Sequence, residues 1–131
     1  MNIGFLDYLQ KLVDTSHIII DRPKGSVHHR FPGKVYPVDY GYLDGTTTID
    51  SGGVDIWVGS MGKLKVVGVL CTVDLLKRDT ELKLLYDCTD KEIELIHDFV
   101  NINAMRAIYI KLGEIKYNEM DPGYFFRPDQ G

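Results

Sequence analysis

Apolar residues Ile3, Leu6, Leu9 and Leu12 or Val13 recur every three or four positions from Met1 to Val13, with Asp7 and Lys11 between them. That period predicts one apolar stripe along a helix. Shorter apolar runs follow. His17-Ile18-Ile19-Ile20-Asp21 reads as a strand, and Arg22-Pro23-Lys24-Gly25 as the turn that ends it. Ser26 to Phe31 is expected to form the returning strand, which Pro32-Gly33 breaks. Tyr36-Pro37-Val38-Asp39-Tyr40-Gly41-Tyr42 is rich in aromatics, and its proline and glycine exclude a central strand with an unbroken ladder. Val54 to Val58, Lys63 to Asp74 and Glu81 to Tyr86 are further strand candidates, and the stretch Leu75 to Thr80 is short enough for a hairpin. Thr89-Asp90-Lys91-Glu92 has capping-box spacing, and Ile93, Ile96, Val100 and Ala104 form the stripe of the helix behind it. Ala107 to Leu112 fits either continued helix or a strand. The tail from Asp121, with Pro122-Gly123 and Pro128, is expected to be irregular. Helix, several short strands, then helix predicts an α+β fold with a small antiparallel barrel.

A length of 131 residues, without repeats or linkers, is expected to make one domain, residues 1–131, around one core. The net charge of −4 and the pI near 5.5 argue against a general electrostatic grip on nucleic acid, which calls for a basic face. Cys71 and Cys88 are too few and too isolated for a disulfide framework, and neither belongs to a Cys/His array that would hold zinc. The N-terminal pattern, with Asp7 and Lys11 inside it, is that of a helix and not of a signal peptide. No apolar run is long enough for a membrane span, so the expected compartment is the cytoplasm.

The chemistry concentrates on four aspartates. Asp50 with Asp55 and Asp74 with Asp79 share one spacing, and each pair sits where a turn meets an apolar run. Residues five apart converge only if the backbone bends between them. Ser51-Gly52-Gly53 supplies a bend in the first pair, and Lys77-Arg78 breaks the strand pattern in the second. Two readings stay open on spacing alone: aspartates that cap turns, and hard oxygen ligands gathered on divalent cations. Tyr36, Tyr40 and Tyr42 are open in the same way, between core packing and a pocket wall with hydroxyls toward a polar ligand.

Taken in order, the Tyr36–Tyr42 segment, Asp50-Ser51-Gly52-Gly53-Val54-Asp55-Ile56-Trp57-Val58, and Gly68-Val69-Leu70 with Asp74 and Asp79 resemble the soluble family I inorganic pyrophosphatases. Their motifs are YPxNYGY, DGDPxDVLV and GVLxxxDxxxxD with similar gaps, and the resemblance spans residues 16 to 101. It implies a five-stranded OB-type barrel flanked by helices and Mg²⁺-dependent hydrolysis of pyrophosphate to two phosphates. By motif, Asp50, Asp55 and Asp79 match magnesium ligands, with Asp55 bridging two ions and Asp74 joining Asp79 at a further one. Tyr40 matches a substrate-contacting tyrosine, with Tyr36 in the same wall. Arg30 matches a substrate-binding arginine if two residues are deleted before Tyr36, while Lys24 and Asp21 match a family lysine and glutamate loosely. Pyrophosphate repels incoming hydroxide, so its hydrolysis calls for cations on the phosphate oxygens and a water made acidic by metal contact. Lys24, Arg30 and Lys83 would neutralise the phosphates.

Three departures bear on turnover and substrate. Gly52 stands where the family has a middle aspartate that takes the proton of the attacking water, and Asp39 is a candidate substitute. Glu81 replaces a lysine, with Lys83 one strand period later. The family's late Tyr-Lys pair falls at Ile102-Asn103, and the loop before the last helix is shortened. The expected activity is therefore hydrolysis of pyrophosphate; the alternatives are a larger phosphoanhydride and a non-catalytic module that binds a phosphorylated ligand or a partner. A nucleic-acid-binding OB domain would suit the tyrosines but not the acidic balance. No nucleic-acid or membrane partner is expected, and a homo-oligomer is compatible with the resemblance.

Overall fold

A computed structural model describes residues 4–49 and 52–112. Among them one six-stranded sheet carries a helix on each face. Helix α1 (Phe5–Asp14) is followed by β1 (Ile18–Arg22), β2 (Asp39–Leu43), β3 (Val54–Val58), β4 (Val66–Asp74), β5 (Asp79–Tyr86), α2 (Asp90–Val100) and β6 (Met105–Lys111). The strand order is β1-β2-β3-β5-β4-β6. All neighbours are antiparallel except β3 and β5, which run parallel because the chain leaves β3, passes β5's place and returns through β4.

Three expectations are corrected here. The sheet is open and not closed into a barrel, and it has six strands where five were expected. The added strand is β6, drawn from the segment whose pattern fitted helix or strand. Pairing with β4 decides it: Ala107 is buried and Tyr109 half-buried, while the alternating Arg106 and Ile108 face solvent. Ser26 to Phe31 is not a returning strand either. It contributes only an isolated bridge between Val27 and Val35, because the prolines and glycines around it hold the chain in turns. The tail from Asp121 and Asp50 of the first aspartate pair lie outside the described residues.

The helices form for local reasons. In α2, Thr89 Oγ1 accepts from the Glu92 backbone N–H and the Glu92 carboxylate accepts from the Thr89 N–H, satisfying two otherwise orphaned donors. Its stripe of Ile93, Ile96 and Val100 packs on Trp57, Leu70, Leu85 and Ala107. On the other face Leu6 and Val13 of α1 pack on Leu43, Ile56, Val66, Leu84 and Tyr86. Leu70, Leu84, Leu85 and Ile56 have no exposed surface, and burial of such a side chain contributes about 1.5–3 kcal/mol. Cys88 is buried and Cys71 half-buried, and both are free thiols.

One close approach sets the tyrosines. Gly41 lies against the backbone of β1, where a Cβ would fall 1.8 Å from the Ile19 carbonyl oxygen. Only glycine fits between Tyr40 and Tyr42, and by the two-residue period both tyrosines then share the α2 face of the sheet.

Candidate active site

Strand register builds the centre of this face. Tyr40 is paired with Trp57 and Tyr42 with Asp55 across β2 and β3. The parallel pairing of Ile56 with Leu84 and Trp57 with Leu85 carries Lys83 to the level of Asp55. Lys83 Nζ lies 2.7 Å from Asp55 Oδ2 and donates at 2.7 Å to Tyr40 Oη. Glu81 Oε2 is 3.5 Å away. The Lys83 side chain is only 10% exposed. Burial works against its ammonium, but Tyr40 and Asp55 outweigh that and raise its pKa above the ordinary lysine value. Burial likewise raises the Tyr40 phenol, against the pull of Lys83 and with the push of Asp55. At neutral pH Lys83 is therefore an ammonium and Tyr40 an intact phenol. Lys83 donates to Tyr40 Oη and the Tyr40 O–H bonds in turn to the Asp55 carboxylate, so the three groups hydrogen-bond one another.

Two cavities meet at this centre. One, of about 460 Å³, is lined by Tyr40, Tyr42, Gly52, Gly53, Asp55, Lys77, Glu81 and Lys83. The other, of about 400 Å³, shares Tyr40, Lys77 and Lys83 and extends toward His28, His29, Arg30, Lys34, Tyr36 and Phe99. His28 falls below the usual imidazole value through burial and through His29, Lys34, Arg22 and Arg30. Lys34 is lowered by burial and sits 4.1 Å over the Phe99 ring. Tyr36 is buried, stacks on Tyr40 at 5.9 Å, packs tilted against Phe99 at 4.7 Å, and is raised by burial against the pull of Arg22.

The remaining expected site residues divide. Asp74 and Asp79 face each other across the β4–β5 hairpin. Asp74 Oδ1 accepts from the backbone N–H groups of Leu76 and Lys77, the turn-capping arrangement. Asp79 Oδ2 is 3.4 Å from Lys77 Nζ, while its Oδ1 is buried without a hydrogen-bond partner. Asp39 Oδ1 accepts from the Lys24 N–H at 2.8 Å and lines neither of the two cavities; neither does Lys24. Arg30 lines the basic cavity at the surface. Gly52 lines the Asp55 cavity. Among the described residues no three His, Cys, Asp or Glu side chains are grouped as a metal site requires. The donor chemistry nonetheless suits a hard cation such as Mg²⁺: carboxylates only, one with an orphaned buried oxygen.

Lys77, His28, His29, Lys34, Trp57 and Phe99 escaped the reading of motifs. A signal existed in the density of cationic side chains from Arg22 to Lys34, namely Arg22, Lys24, His28, His29, Arg30 and Lys34, in a chain of net negative charge.

No protein-family model matches this chain, and comparison with curated protein sequences finds no match. In structure it is similar to an inorganic phosphatase from Anaplasma phagocytophilum, with a TM-score of 0.51 and 15% identity, covering 72% of this chain and 81% of that one. At that identity the likeness carries the fold alone: a mixed α+β sheet with helices, as in that phosphatase. Among the described residues no helix is long and apolar enough to cross a membrane.

Proposed function

We propose that this chain is a pyrophosphatase-like hydrolase that binds a phosphoanhydride where the two cavities meet and cleaves it with Mg²⁺. The observation that carries this reading is the convergence of Lys83, Tyr40 and Asp55 from three strands, with Lys77 beside them, in the fold of an inorganic phosphatase. Lys83 and Lys77 supply positive charge to phosphate oxygens, and Tyr40 lines the same contact. Arg30 and Tyr36 line the approach. Asp55, Asp74 and Asp79, with Asp50, would hold the metal, which supplies charge neutralisation and acidifies the attacking water. In the reaction the water oxygen bonds to one phosphorus, the bridging P–O bond breaks, and the bridging oxygen leaves with the second phosphate. Gly52 offers no base, so the water's proton is lost to solvent.

A second reading, binding without efficient turnover, is favoured by Gly52 and by the lysine already held on Asp55. A phosphate-release assay with pyrophosphate, with and without Mg²⁺, decides between them. Hydrolysis predicts release that requires Mg²⁺ and rises about 10²-fold in Gly52→Asp, the size of a general-base contribution. Calorimetric binding of pyrophosphate with no release in either protein would leave the binding module standing.

A further inference from the structure

The basic cavity offers more than an inorganic diphosphate uses. Such an anion takes N–H and O–H donors and gains nothing from ring faces, yet the wall of this cavity is a run of packed rings. Tyr40 and Trp57 lie 4.5 Å apart, Tyr36 and Phe99 4.7 Å, and His28 and Phe31 5.1 Å. Packing against α2 accounts for the inner rings, since Trp57 and Tyr36 belong to the core. It does not account for the rim, where Phe31 leaves 38% of its surface exposed beside the half-buried His28. Trp57, which lines the cavity and is 2% exposed, buries its Nε1–H with no hydrogen-bond partner. A donor in that state calls for an acceptor that the described protein groups do not provide. The cavity's volume of about 400 Å³ lies in the range of organic-ligand pockets, about 300–1,000 Å³.

We propose that this cavity accepts a planar heteroaromatic group attached to the phosphoanhydride, the chemistry of a nucleoside diphosphate, so that the preferred ligand is a nucleotide and not bare pyrophosphate. The phosphates lie at Lys77 and Lys83, which both cavities share, and the ring stacks at the rim against Phe31, since His28 is already stacked on His29 and Tyr36. This rests on the reading of the Tyr40–Lys83 centre as a phosphate site. Trp57 is the sole tryptophan of the chain and reports on its own cavity.

The test titrates ADP and, separately, pyrophosphate into the full chain with Mg²⁺, following Trp57 emission and heat of binding. ADP is expected to bind about tenfold more tightly than pyrophosphate and to quench Trp57, as one stacked base would provide. Phe31→Ala, at a rim position where folding is undisturbed, is expected to bring the ratio of the two affinities to about one. If pyrophosphate binds and ADP binds no more tightly, or the preference survives Phe31→Ala, the aromatic subsite is overturned and the phosphate site stands. If neither ligand binds a protein that melts cooperatively by circular dichroism, the phosphate-site reading falls, and the subsite with it.

Discussion

Asp55 and Asp79 have almost the same side-chain exposure, 28% and 30%, and each faces a lysine, yet the lysines differ. Lys83 is 10% exposed and 2.7 Å from Asp55; Lys77 is 54% exposed and 3.4 Å from Asp79. The first ammonium has exchanged water for a carboxylate and a phenol, so each group of the trio depends on the others. The second remains mostly hydrated, and pairs of that kind contribute about 0–1 kcal/mol. How strongly a carboxylate is committed is thus decided by the burial of its partner and not by its own. The contrast also assigns different work to the two places. The Asp55 centre holds its cation and its hydroxyl inside a closed set of hydrogen bonds. The hairpin mouth keeps a loosely held lysine and an orphaned oxygen on Asp79.

The largest test of this contrast is Asp55→Asn. It leaves the buried Lys83 without its closest counter-charge and is expected to cost about 3 kcal/mol of folding stability, against less than about 1 kcal/mol for Lys77→Met. Urea denaturation of both proteins measures the difference, and equal losses would dissolve the distinction. In the proposed reaction Asp55→Asn also lowers Mg²⁺-dependent phosphate release by at least about 10²-fold.

Asp74→Asn is a smaller perturbation. Its retained Oδ1 still accepts from Leu76 and Lys77, so stability is expected to change by less than about 0.5 kcal/mol. If Asp74 also serves the metal, half-maximal phosphate release shifts to higher Mg²⁺ in this variant. An unchanged Mg²⁺ requirement would leave it as a turn cap alone.

The smallest expected effect is a null response to alkali. The folded pKa of Lys83 is raised above its unfolded value, so its contribution to stability is complete below the unfolded value, about pH 10. It is lost only as pH climbs from there through the folded value. Stability and pyrophosphate affinity traced to Lys83 should therefore stay flat from pH 7 to 9. A decline with midpoint near pH 8 would show that the ammonium is less firmly held than its geometry indicates.

Local signals carried the helices and most strands. The stripe of α1, the Thr89–Glu92 capping box and the β4–β5 hairpin all depend on neighbours within a few residues, which is why they were legible. The loop from Pro23 to Gly33 misled because its short apolar and histidine run has strand composition, while the prolines and glycines at its ends prevail. At the site, Asp55, Tyr40 and Lys83 were legible as residues but not as a trio. Lys83 is 28 positions from Asp55 and 43 from Tyr40, and nothing in either segment says that β3 and β5 will lie side by side in parallel.

By itself, then, the sequence determined an α+β chain with two amphipathic helices, a hairpin between Asp74 and Asp79, and a set of aspartates, tyrosines and cations suited to phosphate chemistry. Tertiary structure alone decided that the sheet stays open with β6 as its sixth strand, that Lys83 meets Asp55, and that the cationic loop folds beside an aromatic wall. Periodicity reports how a segment divides between core and solvent. Which segments become neighbours is settled by the global packing of two helices on two faces of one sheet, where burial of Tyr40, Trp57 and Leu85 against the α2 core joins the three strands of the site.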